Sequence, residues 1–137
     1  MYKNLSLLIL IMLFSLTVFA GELLVRVEGV LEFEGDIHIG VFDSEESWKN
    51  RRVKVGAYVD PSDEVYYNFK NLPEGEYMVS IFHDVNSNDK LDRYFYGKPK
   101  EPYGFSKNKF GAFGKPPKFK QASIQVKGKT ETTIVLR

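Results

Sequence analysis

The chain has 137 residues, 43% of them apolar and 27% charged, with 11 Phe, 8 Tyr, 1 Trp and no cysteine. That balance fits one folded domain with a core and argues against a disordered chain. The missing thiols exclude disulfides, thiolate metal sites, cysteine nucleophiles and a lipidated cysteine. Lys and Arg number 19 against 18 Asp and Glu. One cation, Lys3, falls in the N-terminal segment, and the remaining 18 against 18 give no net attraction to nucleic acid.

Met1 to Asn4 carry one positive charge, and Leu5 to Phe19 form an apolar run whose polar members are Ser6, Ser15 and Thr17. Val18 and Ala20 stand at the minus-three and minus-one positions of a cleavage point. This is the three-part pattern of a secretory signal, and the run is short for a membrane span, which takes about 20 apolar residues. Residues 1–20 are therefore read as a signal peptide and 21–137 as a single β-sandwich domain. The mature protein is expected to be periplasmic or secreted, in a bacterium, with no transmembrane span after cleavage.

From Leu23 onward apolar residues recur with period two, which gives each strand one core face. In chain order the strands are Leu23–Val27, Ile37–Phe42, Val53–Val59, Val65–Phe69, Tyr77–His83, Ile124–Val126 and Thr132–Leu136. Turn chemistry separates them at Glu34-Gly35-Asp36, Asp60-Pro61-Ser62-Asp63, Asn71 to Gly75 and Lys127-Gly128-Lys129. Ser44 to Lys49 predicts one helical turn, capped by Ser44 with Glu45 and Glu46 at its start. Seven strands predict an all-β, two-layer antiparallel sandwich. Between Asp84 and Phe119 the alternation stops for 36 residues. A structureless stretch of that length is uncommon in a compact domain. Its many aromatics, from Tyr94 to Phe119, predict one long ordered loop rather than disorder.

The loop opens Asp84-Val-Asn86-Ser-Asn88-Asp89-Lys90-Leu91-Asp92. Side-chain oxygens fall at positions one, three, five and nine, the spacing at which EF-hand-like loops surround calcium, with a backbone carbonyl at position seven. The calcium ligands expected on that reading are Asp84, Asn86, Asn88, the Lys90 carbonyl, Asp92 and, from further along, Glu101. Position six is Asp89 where glycine is usual, and position twelve is Phe95 rather than Glu. The same residues can form a metal-free turn in which Asp and Asn side chains bond nearby amides.

From residue 98 to residue 120 there are seven lysines and one acid, Glu101, interleaved with aromatics. A candidate ligand surface follows, with Tyr94, Tyr96, Tyr103 and Phe105 as platforms and Lys107 and Lys109 as charges. It suits a glycan or an anionic envelope ligand bound without metal. The alternative is that the aromatics pack the loop onto the sandwich. His38 and His83 both fall in expected strands, as structural histidines or as a pair that meets over a metal. His83 beside Asp84 can also be written as part of a hydrolase-like triad. The chain carries no nucleophile elbow, glycine-rich phosphate loop or HExxH motif, and a non-enzymatic protein is expected.

The run from Phe82 to Asp92, then Gly97 to Ser106 and Gly111 to Phe119, resembles the signature of the bacterial domain of unknown function 2141 family. Val41 to Ser44 and Asn71 to Tyr77 extend the resemblance over the mature chain. It implies a small exported protein. The Leu72-Pro73-x-Gly75-x-Tyr77 hairpin is similar to those of prealbumin-like and Ig-like sandwiches, which implies the fold and leaves the task open. The expected partner is an unidentified envelope or extracellular ligand, and the expected state is a monomer.

Overall fold

Every expected strand forms, and its apolar face decides which way it turns. The computed structural model describes residues 18–137, so most of the expected signal peptide, residues 1–17, lies outside the described residues. Strand β1 (Ala20–Glu28) buries Leu23, Val25 and Val27 and turns Arg26 and Glu28 to solvent. Strand β2 (Asp36–Phe42) buries Ile37, Ile39 and Val41 on the face toward β1. Strands β3 (Val55–Val59), β4 (Val65–Pro73) and β5 (Gly75–Asp84) follow. After the long loop come β7 (Ile124–Val126) and β8 (Lys129–Val135). One sheet has the order β4-β1-β8; the other runs β3-β2-β5 and continues to a short β6 (Tyr103–Phe105), with β7 also paired to β5. Their inner faces meet in one apolar core, where Leu23, Val25, Ile37, Val41, Val79 and Ile134 have no exposed surface. Each such side chain contributes about 1.5–3 kcal/mol of burial.

The structure corrects the sequence reading in three places. There are eight strands among the described residues rather than seven, because the loop contributes β6. The sandwich is not wholly antiparallel, since β8 runs parallel to β1 from Lys129 beside Glu22 to Val135 beside Glu28. A parallel pair requires a long connection, and these are the first and last strands, with the whole domain between them. Val53, expected within β3, precedes it and is half exposed.

The segment 84–119 is ordered, though not as one structureless loop. Besides β6 it holds single 3-10 turns at Ser106–Asn108 and Ala112–Gly114, and Arg93 bridges to Pro99. What orders its second half is a smaller core on the outer face of the five-stranded sheet, formed by Phe42, Trp48, Met78, Phe105, Phe119 and Ala122. Helix α1 (Glu45–Lys49) supplies Trp48, whose indole N–H donates to the Pro117 carbonyl at 2.9 Å. Helix α2 (Phe119–Ala122) is tied down by Ser106, which has no exposed surface, accepts from the Val79 amide at 3.0 Å and donates to the Ala122 carbonyl. Helix α1 starts as expected, with reciprocal bonds between Ser44 and Ser47. It ends with Arg51 N–H on the Trp48 carbonyl and Arg52 N–H on the Ser47 carbonyl, with Arg51 at φ 54°. That closure usually places glycine where Arg51 stands.

Gly35 fixes where the long loop begins. It has φ +73°, and a Cβ there would lie 1.9 Å from the carbonyl oxygen of Asp84. Gly35→Ala therefore forces the end of β5 to move as well as straining the backbone, and should cost more than about 1 kcal/mol. Gly97→Ala, at φ +90° with open space around its Cβ, adds strain alone. Thermal melts should show the larger drop for Gly35→Ala, and equal drops would contradict the packing.

Candidate functional site

Strand β5 ends by delivering the Asp84 carboxylate to a place with no exposed surface. One oxygen accepts the Asn88 amide at 3.1 Å and the other the Asp89 amide at 2.7 Å. The turn needed for this puts Ser87 and Asp89 at φ 55° and 61°. Asp89 thus takes the left-handed conformation usual for glycine at that position, which Asp tolerates better than most residues. Glu101, 9% exposed, reaches back from the far side of the loop. Its two oxygens accept the Val85 amide at 3.1 Å and the Asp92 amide at 2.9 Å, which clasps the loop at both ends. Hydrogen bonds to charged acceptors are worth about 1.5–3 kcal/mol each. Between the clasps, one oxygen of Asp92 accepts the side-chain amides of Asn86 at 2.7 Å and Asn88 at 2.9 Å.

Five of the six expected ligand residues, Asp84, Asn86, Asn88, Asp92 and Glu101, therefore meet in one bonded cluster. Lys90 enters it through its N–H, which donates to the Asn88 side chain at 3.0 Å. The sequence reading paired His38 with His83 and did not place it beside the acidic loop. The His38 Nε2 is buried without a hydrogen-bond partner among the described residues, 3.5 Å from an Asp84 oxygen and 3.9 Å from one of Asp89. The ligating atoms of His38, Asp84 and Asp89 lie within 4.8 Å of one another, so these three could also hold a cation. The ring is fixed by Tyr58 and Phe82, each 4.4 Å away between centroids. Strand alternation alone could not place His38 there, because it leaves open which residue of β5 lies opposite.

The two histidines do not meet. His38 pairs with Phe82 and Ile37 with His83, so they occupy opposite faces of the sheet. His83 is 1% exposed and its Nε2 donates to the Glu34 carbonyl at 2.7 Å. His83 and Asp84 are thus both enclosed, and each already has its own partner.

The match to known families falls on this same frame. A family model described as "Uncharacterized protein conserved in bacteria (DUF2141)" matches residues 25–134. The chain belongs to this family. The matched span runs from Val25 in β1 to Ile134 in β8 and so takes in both sheets and the whole loop. No curated protein and no solved structure matches the chain.

The DUF2141 loop exposes a surface different from the expected one. Tyr94 and Tyr96 are exposed and stack on each other at 5.3 Å, with planes 6° apart. The Tyr94 amide bonds the Lys98 carbonyl at 2.9 Å and closes this turn. Tyr103 is half-buried and donates its hydroxyl to the Gly114 carbonyl at 3.2 Å. Phe105 belongs to the outer core and is no platform, because it faces Trp48 and Phe110 at 5.9 and 5.5 Å. Lys107 and Lys109 are exposed but do not line the cleft that Tyr96 and Tyr103 share. That cleft carries Lys98, Lys115 and the fully exposed Phe113 instead. An apolar residue bracketed by Gly111 and Gly114 was the available signal for Phe113.

Glu101→Ala leaves the Val85 and Asp92 amides without acceptors. At about 1 kcal/mol or more for each, the loss should reach at least about 2 kcal/mol in urea unfolding. An unchanged midpoint and slope would contradict the clasp.

Proposed function

We propose that the protein is an exported, non-enzymatic β-sandwich whose acidic loop takes a calcium ion and fixes an aromatic, lysine-bearing surface toward an envelope or extracellular partner. One observation carries this reading. Asn86 and Asn88 converge on a single oxygen of Asp92, beside the Asp84 and Glu101 clasps. Two amide donors on one carboxylate oxygen stand where a cation is favoured. Turning each amide about χ2 exchanges its N–H2 for its oxygen and gives three side chains offering oxygen to one point. At Asn88 that turn also releases the Lys90 amide. Calcium takes six to eight oxygens, and waters complete the set. Export is supported by the N-terminal pattern and would deliver the loop to a compartment where free calcium is available. A binding role is supported by the enclosure of His83 and Asp84 and by the exposure of Tyr94, Tyr96 and Phe113.

Thermal melts in chelator, and across micromolar to millimolar calcium with magnesium as control, test the reading. Affinity in the extracellular range of about 10⁻⁴ to 10⁻³ M is expected. At 100 times Kd a ligand of the folded state adds about 2.7 kcal/mol, which moves the midpoint by several degrees. Asp92→Ala should remove the calcium response. A flat response would reduce the loop to a metal-free turn and leave the exposed aromatics to act without an ion, and an equal response to magnesium would contradict a calcium site.

A further inference from the structure

We propose that the groove between helix α1 and the loop strands is a binding site for a small carboxylic acid with an apolar body, the carboxylate held between Arg51 and Arg93. The groove is a cavity of about 260 Å³ walled by Phe42, Trp48, Leu91, Pro99, Tyr103 and Phe105. Among the described residues Arg51 and Arg93 are the charged ones lining it, and no acid lines it. Their lack of partners stands out against their neighbours. Lys49, Arg52 and Lys54 pair with Glu45, Glu46 and Asp43, whereas Arg51 and Arg93 form no ion pair among the described residues.

Both guanidinium groups are held in place. That of Arg51 lies over the Trp48 ring, 3.8 Å from its centroid. Arg51 reaches this position from the left-handed residue after α1, where glycine would be the unstrained choice. Arg93 donates to the Gly97 carbonyl at 2.9 Å, which leaves its other N–H groups free for an acceptor. Partial burial, and then the nearby charge of Arg93, pull the Arg51 pKa below its ordinary value. Two like charges brought together beside an apolar cavity repel each other, and an anion between them relieves that repulsion.

The chemistry of the lining selects the kind of anion. A carboxylate offers two oxygens to planar guanidinium forks. A phosphate brings a further oxygen that a mostly apolar wall leaves unpaired. The volume lies below the roughly 300–1,000 Å³ of drug-sized sites, so the body is an aryl group or a short alkyl chain. The site uses none of the acidic-loop oxygens, and the proposal stands apart from the calcium reading.

Trp48 is the single tryptophan of the chain and forms a wall of the groove, so its emission reports occupancy. The purified protein, in chelator, is titrated with phenylacetate, octanoate, phenylacetamide and phenyl phosphate. A saturable emission change is expected with the two acids, at least tenfold weaker with the amide and with the phosphate. Arg93→Gln and Arg51→Gly should each weaken phenylacetate binding at least tenfold against their own baselines. Arg51→Gly also relieves the left-handed strain, so its melting point should not fall below that of the parent, which separates lost binding from lost folding. No saturable change with either acid would overturn the proposal. So would equal binding of acid and amide, tighter binding of the phosphate, or unchanged affinity in both variants.

Discussion

Asp84 and Glu101 are carboxylates almost closed off from water, and each takes two backbone amides in place of its hydration. Burying a carboxylate without such donors is costly, so the bonds and the burial stand or fall together. Asp84 is fixed by strand β5, and Gly35 packs against its carbonyl from the other side. Glu101 lies just ahead of β6 and ties the returning chain to the same point. With the two ends clasped, the intervening residues form a closed turn carrying Tyr94 and Tyr96 outward. The chain after Glu101 is then aimed at the outer face of the sheet.

On that face the second core takes over. Phe105 follows Glu101 by four residues and packs against Trp48, which α1 presents from the opposite side. The groove between them exists because the sheet's outer face is covered only in part. Arg51 comes to it from the turn that closes α1 and Arg93 from the loop, so both the helix end and the clasped loop contribute to its shape. The calcium reading and the acid-binding reading therefore share one scaffold while depending on different side chains.

Much of the scaffold could be read from alternation. Leu23, Val25 and Val27, or Ile37, Ile39 and Val41, show their buried face in the residue order itself. The acidic cluster was legible for a similar reason, since Asp84, Asn86, Asn88 and Asp92 are close neighbours along the chain. What depends on register or on distant packing was not legible. His38 reaches Asp84 only because β2 and β5 pair with Asp36 opposite Asp84. Strand β6 has three residues and too little alternation to announce itself. Phe105 looks like a ligand platform among lysines until Trp48 and Phe119 are seen to cover it. Arg51 stands at a position whose backbone asks for glycine, and only the closing bonds of α1 reveal it.

If two buried carboxylates hold the loop, its amides should be protected even without any ion. Hydrogen exchange of the Asp89 and Asp92 amides in chelator measures this most directly, with the Ile81 amide in β5 as the internal reference. Both loop amides should exchange slowly, on the scale of strand amides that open only with large parts of the fold. Exchange at the rate of an open surface loop, while Ile81 stays protected, would contradict the clasp.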